Sequence, residues 1–384
     1  MRNNAGGARN SLAAWLRDIL AAWLLLDVKV PRGRGESVPD MGLFHKSRHR
    51  TARALLAAAG MAALAGPTLA QTPVKFTLDG KVEGPVAPFV VAVDKGYFKA
   101  QGVEVTIDSA IAAPESISRV ASGNYDMGFA DINALMKFRD QNPGAPVRAI
   151  FMVYNKPAFA IVGRKSRGVV KPKDLEGRKL GAPPADAAYA QWPIFVNANG
   201  IDPAKVRIVN VGLPVREPML ASGEVDAISG LSFSSALDLK QRGVPPDDIN
   251  VLLMADYGVE LYGSAVLVNS KFAAEKPEAV TAVLRGLVNA LNETVRSPFT
   301  AIESVLRRND AAPRAVELER LRMALQDNIL TDEVKTNGYG GIDGARFERA
   351  IDQLGLAYAF KAKPKSGEVF DPSFLPSAAE RTLN

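Results

Sequence analysis

Asp79 and Glu83 stand four residues apart in Asp79-Gly80-Lys81-Val82-Glu83-Gly84-Pro85, a polar loop that closes a short apolar strand. Carboxylates placed this way accept hydrogen bonds from the N–H groups of a ligand; the plainer reading is an exposed turn with solvated charges. The pattern of polar groups at a strand-to-helix turn returns in Ala130-Asp131-Ile132-Asn133, in Pro183-Pro184-Ala185-Asp186 and in Ser229-Gly230-Leu231-Ser232-Phe233-Ser234. Asp131 and Asp186 read first as helix N-caps, and a helix start that faces a cleft also offers its next amides to a ligand. Arg216, beside Glu217 at another helix start, is either surface charge or, turned inward, a clamp for a carboxylate or sulfonate. Ser232 supplies a hydroxyl, and Tyr154, Tyr257 and Tyr262 are further groups fit to line a site. Trp192 reads as core.

The residues that are missing narrow the chemistry further. The 384-residue chain has no cysteine, and its two histidines, His45 and His49, both precede residue 71. From Gln71 onward this excludes disulfides, Cys/His metal sites, Cys or Ser–His nucleophiles and histidine acid–base work. No metal and no cofactor is expected. The formal charge of +6 is concentrated at the start: residues 1–70 hold 10 Lys/Arg and 4 Asp/Glu, which leaves 37 of each in 71–384. A neutral remainder gives no electrostatic footprint for nucleic acid or for a basic membrane surface.

Residues 41–70 have the form of a secretory signal peptide: a basic start at Met41–Arg53, an apolar Ala54–Ala65, and small residues before Gln71. No arginine pair marks the twin-arginine route, and no cysteine is present to carry a lipid. The expectation is Sec-type export to the periplasm without a lipid anchor. Residues 1–40 are then expected to be an extension upstream of the true start at Met41.

Strands and helices alternate from Gln71 on, the pattern of an α/β protein with mostly parallel sheets. Lys75–Leu78, a helix with Phe89, Val90, Val93 and Tyr97 on its apolar face, and the alternating Val103–Ile107 make a βαβ unit, with Gly96 as helix stop. The loop 79–85 falls at the carboxyl end of its first strand, where open α/β sheets bind ligands. Further strands are expected at Tyr125–Ala130, Val147–Val153, Ala158–Val162, Val206–Val211, Ala227–Ser229, Val251–Met254 and Gly263–Val268. Helices are expected near 113–122, 131–138, 186–198, 217–222, 234–242 and 277–295, with an extended surface tail after Lys361.

Ala92-Val93-Asp94-Lys95-Gly96-Tyr97-Phe98-Lys99, then Gly102-Val103-Glu104-Val105, resembles the opening of the substrate-binding proteins related to thiamine pyrimidine synthase, from the nitrate/sulfonate/taurine group of ABC importers. Lys173-Asp174-Leu175-Glu176-Gly177-Arg178-Lys179-Leu180-Gly181 resembles the start of their second lobe. The resemblance runs from Val74 to about Lys365. It implies a periplasmic-binding-protein-like fold of type II, with lobe one formed by 71–155 and 260–384, lobe two by 156–259, and a ligand cleft between them. It further implies a monomer that captures a small organic solute (a pyrimidine thiamine precursor, a sulfonate or a carboxylate) by hinge closure and hands it to permease and ATPase subunits at the inner membrane. The rival within the same resemblance is the synthase itself, whose Gly-Leu-Lys-Ala-Met-Ile-His segment carries a pyridoxal-phosphate lysine and a consumed histidine. Those two positions are Ala130 and Ala134 here, which disfavours an enzyme. Many relatives have tryptophan where this chain has Gly80.

Overall fold

A computed structural model describes residues 71–184 and 186–383; the expected signal peptide and the stretch before it lie outside the described residues. The first strand, β1 (Thr72–Leu78), buries Val74, Phe76 and Leu78 and exposes Pro73 and Lys75, the alternation that a half-covered strand requires. The helix Ala87–Asp94 follows and buries Phe89, Val90 and Val91, each worth about 1.5–3 kcal/mol on burial. Gly96, at φ +70°, breaks the helix in the left-handed region, a short helix Tyr97–Ala100 follows so that Tyr97 lies beyond the break, and the chain returns as β2 (Val103–Ser109), parallel to β1 along its whole length.

Two five-stranded sheets result. β3 (Met127–Asp131), β4 (Val147–Met152) and, much later, β10 (Ser264–Asn269) complete the first, in the order β2-β1-β3-β10-β4. The second sheet contains β5 (Phe159–Arg164), β6 (Lys179–Ala182), β7 (Arg207–Asn210), β8 (Ala227–Leu231) and β9 (Ile249–Leu253), in the order β7-β6-β8-β5-β9.

Each sheet is mixed rather than mostly parallel in the simple sense expected. β10 runs antiparallel to both β3 and β4, and β5 antiparallel to both β8 and β9. The reason is geometric. β5 and β10 are the first strands after the chain passes from one sheet to the other, so each enters at the edge that faces the partner sheet and runs away from it. All other strands end at that edge. The carboxyl ends of four strands in each sheet therefore face the space between the lobes, the location that α/β sheets reserve for ligands.

The two passages, residues 153–158 and 254–263, meet where Gly263 N donates to Tyr154 O (2.9 Å), and Tyr154 N donates in turn to Ser264 O (2.9 Å) at the start of β10. The tail is not merely laid on the surface. Phe370 bridges Ala149 of β4, Asp371 N donates to Ala149 O (2.9 Å), and Val369 and Phe370 are buried. Their apolar side chains dock a segment that the sequence leads one to expect extended on the surface after Lys361. Among the described residues no helix is long and apolar enough to cross a membrane.

Candidate ligand-binding cleft

A line of rings carries the core of the first lobe to the cleft. Phe76 meets Phe89 (5.3 Å between centroids), Phe89 meets Phe129 (4.9 Å), and Phe129 meets Tyr154 edge-on (5.3 Å, 81°). Such tilted and edge-on pairs add to the burial of the rings themselves. Tyr154 ends the line with its hydroxyl donating to Pro85 O (3.0 Å), which ties the loop 79–85 to the first passage. From behind, the helix Arg314–Ala324 pins the same loop: Gly84 N donates to Glu317 Oε2 (2.7 Å), and Arg320 bridges Glu83 (2.5 Å) and Glu317 (3.1 Å).

These contacts frame a cavity of about 290 Å³ at the strand ends. Asp79 and Asp131 stand on its first-lobe side, Phe129 and Tyr154 beside them, and Phe159, Leu231, Phe233 and Ser234 on the second-lobe side. Burial pushes the Asp79 carboxyl up to about 7, and the negative charge of Asp131 adds to the rise. Against this acts a backbone hydrogen bond, and among the described residues no ion pair reaches Asp79. Asp131 rises to about 6, again first through burial, and is held lower than Asp79 by the bonds it accepts from Ala134 N (2.8 Å) and Asn133 Nδ2 (3.1 Å). Asp131 is thus both the N-cap of the helix Ile132–Gln141 and a wall of the cavity. Glu83 also lines the cavity, but its charge is met by Arg320.

The other candidates lie elsewhere. Asn133 is 1 % exposed and donates to Tyr262 O (2.8 Å), bracing the second passage. Asp186, Arg216, Glu217, Ser229 and Ser235 form one buried network in the second lobe: Arg216 binds Glu217 (2.5 Å) and approaches Asp186 (3.5 Å), which accepts from Ser229 (2.6 Å). Its guanidinium is therefore spent on protein carboxylates rather than offered to the cavity. Ser232 is buried, with its amide donating to Ala158 O (2.8 Å). Tyr257 meets Phe195 edge-on (6.3 Å). Sequence reasoning passed over Phe129, Phe159 and Lys81, all in the cavity wall. Phe129 and Phe159 stand near the cleft ends of β3 and β5, and their position there is the signal that would have found them.

One further arginine governs the passages. Arg346, near the start of the helix Gly344–Ala357, donates from Nη2 to Asn155 O (2.8 Å) and Leu261 O (3.0 Å) and from Nε to Glu260 O (3.1 Å). Nη1 meets Asn155 Oδ1 and Glu333 Oε2, both at 2.9 Å. A single guanidinium thus grips both segments that join the lobes.

Two mixed sheets, two passages between them and a cavity at the facing strand ends define a two-lobed periplasmic-binding-protein fold. Its solved neighbours include the periplasmic aliphatic sulphonate binding protein SsuA from Escherichia coli, at a TM-score of 0.62 and 14% identity, covering 77% of this chain and 94% of that one. Within that fold, the chain belongs to the family described as NMT1/THI5 like, which it matches over residues 84–301.

Among curated relatives, riboflavin-binding protein RibY of Chloroflexus aurantiacus is 24% identical over 82% of this chain and 89% of its own length. A formylaminopyrimidine-binding protein of Halalkalibacterium halodurans is 26% identical over 69% and 79%. The 4-amino-5-hydroxymethyl-2-methylpyrimidine phosphate synthase of Schizosaccharomyces pombe is 22% identical, and the match spans 62% of that enzyme. The residues here do not fit the pyridoxal phosphate of such an enzyme at the expected positions: Ala130 is fully buried in β3, and Ala134 offers only a methyl group.

Proposed function

We propose that this protein is the solute-binding component of an ABC importer, exported to the periplasm by the segment 41–70, and that it captures a flat organic solute bearing N–H donors or a positive charge. In this reading 71–155 with 260–384 form one jaw, 156–259 the other, and residues 153–158 and 254–263 the hinge. The observation that carries it is the pairing of Asp79 with Asp131 in a cavity walled by Phe129, Tyr154, Phe159 and Phe233. Two neighbouring, partly desolvated carboxyls without a direct ion pair among the described residues gain from a ligand that supplies N–H groups, and the rings suit a planar body. The names of the riboflavin- and formylaminopyrimidine-binding relatives agree with a nitrogen heterocycle. The engagement of Arg216 by Glu217 and Asp186 weighs against a sulfonate or carboxylate. Capture without chemical change fits a chain with alanine at both synthase positions, and the permease and ATPase subunits are the partners it would need.

A thermal-shift screen of the purified protein tests the reading, with aminopyrimidines and flavins set against taurine, alkanesulfonates and nitrate. A saturating ligand at about 100 times its Kd adds about 2.7 kcal/mol of stability. Stabilisation by an N–H-bearing heterocycle, reduced in Asp79→Asn, supports it. Stabilisation by the sulfonates or nitrate alone, or turnover of any compound in the screen, overturns it.

A further inference from the structure

A second cavity, of about 440 Å³, lies against the hinge and shares no lining residue with the cleft. Asn155 of the first passage and Glu333 form one side, Val334, Phe370 and Leu375 supply apolar wall, and Arg381 from the tail completes it. Its charges are unequal. Glu333 is matched by Arg346 (2.9 Å), whereas Arg381 bonds only carbonyls, Nε to Pro376 O (2.9 Å) and Nη1 to Tyr339 O (2.5 Å). Among the described residues no carboxylate pairs with Arg381 and its Nη2 has no partner. Beside it, Asn155 is 1 % exposed and its Nδ2 is also without a partner. A guanidinium partly removed from water and lacking an anion favours any ligand that brings one.

We propose that this cavity is a second binding site, taking a small monocarboxylate with a short apolar body. Its carboxylate meets the Nη2 edge of Arg381, and its chain lies against Val334, Phe370 and Leu375. The volume falls in the range of small-molecule sites, and glycines at 338, 341, 344 and 367 leave the walls without side chains at four points. Because Asn155 belongs to the hinge and bonds Arg346, the occupant touches the segment that the lobes turn about. The site does not depend on what the cleft binds.

The test is titration of the purified protein with butyrate, followed by ligand-detected NMR and by hydrogen exchange of the amides in 153–158. Inorganic phosphate (charge without the chain) and butanol (chain without the charge) serve as comparison probes. The expected result is saturable butyrate binding with slowed exchange at the hinge amides, and at least about tenfold weaker binding of both other probes. Arg381→Gln should weaken butyrate by about tenfold or more, and Asp79→Asn should leave it unchanged. Arg381 also supports the tail, so Gly367→Leu is the second variant: Gly367 lines the cavity, a Cβ there meets nothing within 4 Å, and the larger side chain is expected to narrow the site. Absence of saturable butyrate binding or of hinge protection overturns the proposal. So do equal binding of phosphate or butanol, retention of butyrate in Gly367→Leu, and loss of butyrate in Asp79→Asn.

Discussion

The guanidinium of Arg346 lies 3.9 Å from the centre of the Tyr262 ring, and the Tyr262 hydroxyl reaches past it to Glu333 (2.8 Å), the carboxylate that Arg346 itself pairs with. The two side chains and the acid form a closed unit around the joined passages. Cation–π stacking and charge-assisted bonds act here on partly buried groups, where each is worth more than at a surface.

Replacement of Arg346 separates strength from geometry. Arg346→Ala leaves Glu333 without its counter-charge and frees three carbonyls, so a stability loss of about 3–5 kcal/mol is expected in chemical denaturation. Arg346→Lys keeps the charge but presents one nitrogen, which cannot span Asn155, Glu260 and Leu261 together. It should cost less stability, yet the amides of 153–158 and 254–263 should exchange faster than in the parent protein. Equal exchange in the lysine variant would mean that charge alone suffices.

Gly263 is the point where the passages touch most closely. A Cβ there would fall 2.9 Å from Tyr154 Cβ and 3.0 Å from Pro157 Cα, neither of which is the free end of a flexible chain. Gly263→Ala should therefore push the two passages apart at a cost of about 1–3 kcal/mol. The same change at Gly80, which lines the cavity and whose Cβ would meet nothing within 4 Å, should leave the melting temperature near that of the parent. Paired thermal melts of the two variants check the contrast.

Local signals made much of this architecture readable. The alternation of Val74, Phe76 and Leu78, the glycine stop at 96 and the alternation from Val103 give the first βαβ unit, because strand and helix periods are written in consecutive residues. β6 escaped notice because Lys179–Ala182 is only four residues long and includes Gly181. The reversed strands β5 and β10 could not be read locally, since direction is set by the edge at which the chain enters the sheet. The same limit applies to the cleft. Sequence suggests a helix N-cap at both Asp131 and Asp186, but only Asp131 is one: the second helix starts at Trp192, and Asp186 is met by Ser229 and Arg216 while Asp131 lines the cavity.

Arg216 and Asp79 should consequently respond in opposite ways. Arg216→Met leaves Asp186 and Glu217 buried without a cation, and a loss of about 3–5 kcal/mol is expected. Asp79→Asn removes a carboxylate that has no ion pair among the described residues and is held above its ordinary pKa by burial, so it should preserve or raise stability while weakening an N–H-bearing ligand. Denaturation curves for both variants, with calorimetric titration of whichever heterocycle stabilises the parent, decide this. A stable Arg216→Met protein with lost ligand binding would place Arg216 in the site after all.

The carboxyl pair also fixes a pH dependence and its sign. Asp79 at about 7 and Asp131 at about 6 hold their protons more tightly in the folded chain than at the ordinary aspartate value of 3.8. Over that interval the folded state binds more protons than the unfolded one, so stability falls as pH rises. Their contribution is complete below about pH 4 and is lost as pH passes through about 6 to 7. Asp94, lowered to about 2 by Arg308 and Arg307 against partial desolvation, and Asp248, lowered to about 2 by Ser166 and Arg164, act in a separate window. They add stability above the ordinary aspartate value and lose it as pH falls toward 2. The ligand-free protein should therefore melt highest near pH 4 to 5 and decline toward pH 7.5, and Asp79→Asn should flatten that decline while leaving the acid limb in place. A cationic heterocycle should bind the doubly ionised pair best, so its affinity should rise over the same interval in which the empty protein loses stability. Melting curves taken from pH 3 to pH 8, with and without the ligand, read both slopes at once, and an unchanged decline in Asp79→Asn would remove the pair as its cause.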